Sequence, residues 1–455
     1  MIPLRKLTLA GITGLSASLS YGQEPKATNS VLNPTPIEVL TQGDAAPKPA
    51  LQSCLDSDPK AKEEVSPFMS TLTGNWGGYR DSLAQNGFIF RGDLTQFYQG
   101  VASGGKTNQF EYGGKLNYYV DIDGQKAGLW EGLFINMHAE TRYGEDVNKA
   151  SGALLPVNLA SKFPGDGNLT AITSLKVTQG LSENLAVYAG KINTLDEDKL
   201  TFGGGIGIDN FMSGGLTFNA TALRAVPYST FGTGVVFLVD HQPAAAISVF
   251  DAVDHATDSA VNNLFSKGAV IVAEGGLPLP FEKPGSVSIG GVYSTRTYTS
   301  LDFDSYLLFP QLNRAIPVLG RETGSWSVFY KASQTLWTSC EDPKNAWGIF
   351  SEGGVADGNP SPLNNFFNFG ISGSNPYATK DTFGLGYFYL GLSGPIKGTL
   401  ALAGLNVRDE QGFELFYNCA VTPWFHLTPD VQLVLPTQSK QEAACVIGLR
   451  AKLDF

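Results

Sequence analysis

Charge and histidine are both scarce in this chain. Of its 455 residues only 16% are Asp, Glu, Lys or Arg, and only four are histidine. His138, His241, His255 and His426 stand in no H-E-x-x-H or comparable ligand spacing, so the sequence offers no metal site. Four cysteines would permit two disulfides in three connectivities, and their spacing supplies no metal motif. No later stretch offers about 18 uninterrupted apolar residues, which excludes a membrane-spanning helix in the mature chain. A basic excess is missing too: 31 Lys and Arg face 42 Asp and Glu, and a net charge of −11 argues against nucleic acid as a partner. Catalytic signatures are absent. DNFMSGG (209–215) sets a serine beside glycine without the G-x-S-x-G pattern. GGGIGIDN (203–210) has no following Lys-Ser/Thr and opens no helix, so it reads as a flexible loop rather than a phosphate cradle. No cofactor and no enzymatic reaction are expected.

What is present begins with MIPLRKLTLAGITGLSASLSYGQ, where Arg5 and Lys6 precede a short apolar run and small residues sit at the cleavage spacing. This predicts a secretory signal peptide over residues 1–22, cut before Gln23. Residues 23–66 are rich in Pro, Ala, Lys and Glu without a sustained period and read as a flexible periplasmic leader. In TLTGNWGGYRDSLAQNGF, Trp76, Tyr79, Leu83 and Phe88 suit one face of a short helix that Gly87 ends, so residues 67–87 are expected to form an N-terminal helical segment.

From Phe88 to Phe455 a period of two dominates. The last nine residues, IGLRAKLDF, alternate apolar Ile447, Leu449, Ala451 and Leu453 with charged Arg450, Lys452 and Asp454. In a soluble secreted sandwich the charges would face water; in a membrane barrel the apolar face would meet lipid and the charges a lumen. A mean hydropathy of −0.04 suits such alternation. Strands are expected near 88–100, 112–122, 131–142, 169–179, 184–194, 231–239, 243–251, 268–276, 285–297, 325–338, 346–356, 382–392, 396–405, 411–422, 425–435 and 442–455. That is about sixteen, an even number typical of outer-membrane barrels. Tight turns at 180–184, 341–345, 393–395 and 422–424 interleave with long segments at 143–168, 195–230, 299–324 and 357–381, as short periplasmic turns and long external loops would. The fold class is therefore all-β, a transmembrane antiparallel β-barrel over 88–455, with outer-membrane lipid around it.

The inner phase supplies the candidate lumen residues. Arg91 and Asp93 lie on the first strand, Lys115 and Asn117 on the second, and Asn136, His138, Glu140 and Arg142 on the third. Glu414, Asp430, Gln432, Arg450 and Lys452 continue the surface near the C-terminus. Opposed acidic and basic rows across water orient polar solutes and filter ions; the competing reading is that they only solvate the wall. Within 195–230, expected as the third external loop, Phe202, Phe211, Phe218 and Arg224 are anchors a freely solvated loop would not need. Folded inward, that loop would present Asp196, Asp198, Asp209 and Arg224 to a constriction. A barrel enzyme acting on lipid or glycan is the alternative from another class, although His138 falls on the inner phase, away from an outer-wall serine.

Three stretches resemble one known family: LTGNWGGYRDSLAQNGF (72–88), KNAWGIFSEGGVADGNPSPLNNFFNFGI with DTFGLGYFYLGLSG (344–394), and FELFYNCAVTPWFHLTPDVQLVLP running into VIGLRAKLDF (413–455). They resemble the carbohydrate-selective OprB-type porins, in the family's order and over nearly the whole mature chain. The resemblance implies a sixteen-stranded outer-membrane pore passing small carbohydrates by diffusion, narrowed by inward loops. It also implies that barrel assembly machinery recognises the terminal Phe455. A general non-selective porin remains the nearer alternative, and a homo-oligomer is compatible with either.

Overall fold

The computed structural model describes residues 66–455 except 199, 241, 310–313 and 341. The expected signal peptide and, save Ser66, the expected leader lie outside the described residues. Sixteen strands close into one antiparallel barrel in which every strand pairs with its sequence neighbours and β1 pairs with β16. They are β1 Phe88–Ser103, β2 Phe110–Asp123, β3 Leu133–Gly144, β4 Leu169–Ser182, β5 Leu185–Asn193, β6 Ser229–Val239, β7 Gln242–Asp251 and β8 Ala269–Pro278. The second half comprises β9 Gly285–Phe309, β10 Arg314–Thr338, β11 Ala346–Ala356, β12 Leu363–Asn375, β13 Ala378–Leu392, β14 Glu410–Thr422, β15 Phe425–Leu435 and β16 Ala444–Asp454. Closure satisfies the backbone of every strand without leaving an open edge, which hydrocarbon would not tolerate.

Period two sorts the side chains across this wall. Ile247, Ile271, Ile289, Leu385, Leu415, Leu433 and Leu449 stand exposed on the outside. Arg450, the neighbour of Leu449, is 1% exposed against 41% for the leucine. Aromatic rings also face outward, with Tyr387 packed against Phe367, Phe369 and Phe413 at centroid distances of 5.9, 5.5 and 4.7 Å. Cys419 and Cys445 carry free thiols.

Two of the expected elements are misplaced, and their errors cancel in the count. Residues 396–405 are not a strand: Gly394–Leu402 is a helix, N-capped by the Ser393 side chain with Pro395 in its first turn, and Gly404 follows at φ 79°. The SGP segment is thus a helix start, not a tight turn. Conversely β12 lies inside the expected long segment 357–381, so residues 382–392 run in the opposite direction to the one expected. The segment 299–324 is for the most part the extended β9–β10 hairpin. At the N-terminus, Trp76–Gly78 forms a 3-10 turn and Tyr79–Gln85 an α-helix. Its buried residue is Arg80 (4% exposed), whereas of the apolar face expected from the sequence Trp76 and Tyr79 are 50% and 63% exposed and Leu83 and Phe88 are half-buried.

Candidate functional site

Two long connections at the barrel end opposite the termini fold back into the lumen: L2 (145–168) and L3 (194–228). Phe202, Phe211 and Phe218 of L3 are buried, as are Leu155, Val157 and Leu159 of L2. They form one apolar cluster with Phe350, Phe366, Phe388, Phe416, Val434 and Val446 on the inner faces of β11–β16. Phe211 stands edge-on to Phe416 at 5.0 Å and tilted against Phe350 at 5.4 Å. Missing side chains make room for this carpet. A Cβ at Gly384 would lie 2.8 Å from the Phe211 ring, and one at Gly386 would lie 2.7 Å from Leu216.

Carboxylates of β14 fix both loops. Glu414 accepts the backbone N–H groups of Met212 and Ser213 at 2.5 and 2.8 Å, and Glu410 accepts those of Leu154 and Leu155 at 2.5 and 2.9 Å. On β16 the Arg450 guanidinium donates to the carbonyls of Gly207, Asn210 and Asp209 at 3.1, 2.7 and 3.2 Å. Gln432 donates to Val157 O at 2.9 Å, and Asn158 donates to Gln99 at 3.1 Å. Loop carbonyls and amides that would otherwise be desolvated inside the barrel are thereby partnered.

The start of L3 is held by three successive acids of the loop, each paired to a different strand. Asp196 lies 2.7 Å from His138 Nδ1 on β3, Glu197 pairs with Lys176 on β4, and Asp198 pairs with Lys331 on β10. Because β10 lies six strands round the ring from β4, this short run spans the lumen instead of lying along one wall. Lys331 also faces Glu274 at 3.8 Å. At the other end of L3, Tyr228 donates its hydroxyl to Glu140, which pairs with Lys115.

The sequence candidates thus divide into three groups. Arg91, Asp93, Asn117, Asn136 and His138 form a network beside Asp196. Arg91 pairs with Asp121 at 2.6 Å, Asn136 donates to Asp121 at 2.7 Å, Asn117 donates to Asp93 at 2.9 Å, and His138 stacks on Tyr119 at 4.2 Å. Lys452, opposite Thr95 in the β16–β1 register, pairs with Asp209 of L3 at 2.6 Å. The Asp209 carboxylate opens to the lumen but lies deep within the barrel. Burial raises its pKa, and the Lys452 ammonium and Arg450 guanidinium lower it by more, leaving it below the usual carboxylate value.

The second group, Glu414, Asp430, Gln432 and Arg450, has the inner phase but is sealed beneath L2 and L3, each residue being fully buried. Lys115 and Glu140 are equally closed off. The third group stands apart from the others. Arg142 is used by L2, donating to Gly167 O at 2.9 Å and pairing with Asp146 at 2.6 Å. Arg224 lies over the Tyr298 ring at 4.9 Å, away from the remaining candidates.

Sequence reasoning missed Lys176, Lys331, Glu274, Glu352 and Glu410. The first four occupy the inner phase of their strands, and a charge flanked by apolar neighbours, as Lys331 is in SVFYKAS, was a usable signal. Among the described residues no group of His, Cys, Asp and Glu is arranged to hold a metal ion.

A family description, carbohydrate-selective porin, OprB family, matches residues 107–455. No curated protein matches by direct sequence comparison. Among solved structures, the high-pH form of Pseudomonas putida OprB superposes with a TM-score of 0.70 at 19% identity, covering 85% of this chain and 98% of that one. The low-pH form superposes with a TM-score of 0.52 at 16% identity, over the same shares of the two chains. At these identities the likeness is one of fold.

Proposed function

The chain belongs to the carbohydrate-selective outer-membrane porins of the OprB family, and on that premise we propose that sugars diffuse through it past a constriction made by L3 and the inner faces of β1–β4 and β16. It is a channel, not an enzyme. The residues that meet the solute are Arg91, Asp196, Asp209 and Lys452, with Glu197 and Lys176 beside them, since these keep part of their side chains open to the lumen. Acids and bases set opposite one another in confined water orient hydroxyl-bearing solutes by hydrogen bonding. Glu414, Asp430, Gln432 and Arg450 act indirectly, by fixing the loop that does the sorting.

The observation that carries this reading is the run Asp196, Glu197, Asp198 tied to β3, β4 and β10, because a loop pinned on both sides of the ring narrows the lumen. With short turns on the side of the termini, that side faces the periplasm and the long loops face outward. The same reading has the chain exported by its N-terminal segment and Phe455 recognised by barrel assembly machinery. Its outer wall then meets lipid, or further copies of the chain in a homo-oligomer.

The test is purified protein in planar bilayers and in liposomes swollen with a panel of neutral sugars. Stepwise aqueous conductance and sugar-dependent swelling rates are expected. Deleting 203–217 should raise the unitary conductance and flatten discrimination among sugars. A correctly folded barrel that opened no aqueous channel would overturn the assignment of these residues to a solute path.

A further inference from the structure

The segment that begins the described chain is tied to the residues that end it. β16 pairs with β1 only as far as Asp454 opposite Asp93, and Phe455 N donates to Gly92 O at 2.9 Å. β1 itself continues to Phe88, where β2 still pairs with it. Carbonyls of one strand edge recur every second residue. Phe90 O therefore points to the side of β1 that β16 has already left, an acceptor at an unfinished seam. Arg80 fills that place. Its Nη2 donates to Phe90 O at 2.9 Å and to Phe455 O at 3.2 Å, bridging the two strands of the seam.

The other side of β16 is completed in the same way. Asp454 N donates to Trp424 O at 2.9 Å, so Asp454 O faces the β15 side just beyond the start of that strand, and Leu72 N donates to it at 2.8 Å. Arg80 is held by its own segment through Thr71 at 2.8 Å and Gly74 O at 3.1 Å, with its guanidinium over the Phe68 and Trp76 rings at 4.2 and 5.1 Å. The arrangement depends on register. A two-residue slip of β16 along β1 would carry Phe455 O roughly 7 Å from the guanidinium.

We infer that residues 66–80 are a clasp on the barrel seam, bonded to both β1 and the end of β16 and holding the two strands together. The clasp can dock only once the two strands have paired in register, because its acceptors come from both. This gives the NWGGYR stretch a role separate from solute passage, as Arg80 lies outside the lumen network.

Hydrogen exchange read by mass spectrometry on the folded, detergent-purified full chain tests the inference. Arg80→Met should speed exchange in peptides covering 88–98 and 444–455 by at least ~10-fold, the scale of losing charge-assisted hydrogen bonds. Peptides of the β8–β9 seam (270–292) and the single-channel conductance should remain as in the parent. Arg80→Lys, with one donor nitrogen in place of the fork, should give an intermediate rate. Unchanged seam exchange, or equal acceleration at β8–β9, would overturn the clasp. If Arg80→Met yields no folded barrel, Arg80→Lys decides: parental exchange in its seam peptides rejects the proposal.

Discussion

Removing the Phe211 ring should loosen L3 without opening the barrel. The ring is wholly buried, edge-on to Phe416 and tilted against Phe350. Truncating a buried phenylalanine to alanine costs about 3–5 kcal/mol, part of it the lost aromatic pairs at about 0.5–1.5 kcal/mol each. That cost falls on loop docking, because the strand ladder on either side of Phe350 and Phe416 is made by backbone hydrogen bonds that Phe211 does not touch. At about 1.4 kcal/mol per decade, the undocked fraction of L3 rises roughly a hundred- to a few-thousand-fold. Adding Glu414→Gln puts an amide N–H against one of the two loop donors and leaves that donor without an acceptor, for about 1–3 kcal/mol more. The two sites share one stretch of loop, so the sum is an upper bound. Single-channel recording should reveal a larger conductance substate, more frequent in Phe211→Ala and dominant in the double variant, with weaker discrimination among sugars in liposome swelling. If a folded, heat-modifiable double variant kept the parent's unitary conductance and sugar ranking, L3 would not be the element that narrows the pore.

Three further outcomes follow from the geometry. Leu449→Arg places a charge on the outer wall at about 2–4 kcal/mol near the midplane and should lower the yield of assembled barrel, whereas Arg450→Leu should assemble better and alter conductance by releasing three L3 carbonyls; equal assembly defects would refute the assigned phase. Lys331→Met leaves Asp198, Glu274 and Glu352 buried without their cation, so apparent melting should fall by an amount corresponding to about 3–5 kcal/mol, and an unchanged melting curve would show that the lysine is not pairing them. Because Lys452 depresses Asp209, the stabilisation from that pair is complete above the ordinary carboxylate range and is lost only as pH falls through the lowered value. The change in reversal potential caused by Asp209→Asn should therefore be the same at about pH 5 and about pH 7, and its disappearance at the lower pH would contradict the pairing.

The sequence by itself determined the closed barrel and the sidedness of most of its wall. Period two is a local property: Leu449 and Arg450 take opposite faces whatever surrounds them, and the scarcity of long apolar runs leaves strands as the only way across a bilayer. The same locality made the first strands legible, where Arg91, Asp93, Lys115, Asn117, His138 and Glu140 alternate with outward residues. It failed at β12, LNNFFNFGISGSN, where adjacent Phe366 and Phe367 blur the alternation. Phe366 faces inward and is apolar because a distant loop covers it, so the rule of polar residues within does not hold on that arc of wall. Helix Gly394–Leu402 was legible in principle from Ser393, Pro395 and Gly404, but its apolar spacing also fits a short strand. Only the tertiary structure decided that L2 and L3 fill one side of the lumen, that Glu414 and Arg450 serve the loop instead of the solute, and that Asp196, Glu197 and Asp198 reach three separate strands. Those partners are brought together by barrel closure, a long-range event that no window of sequence contains.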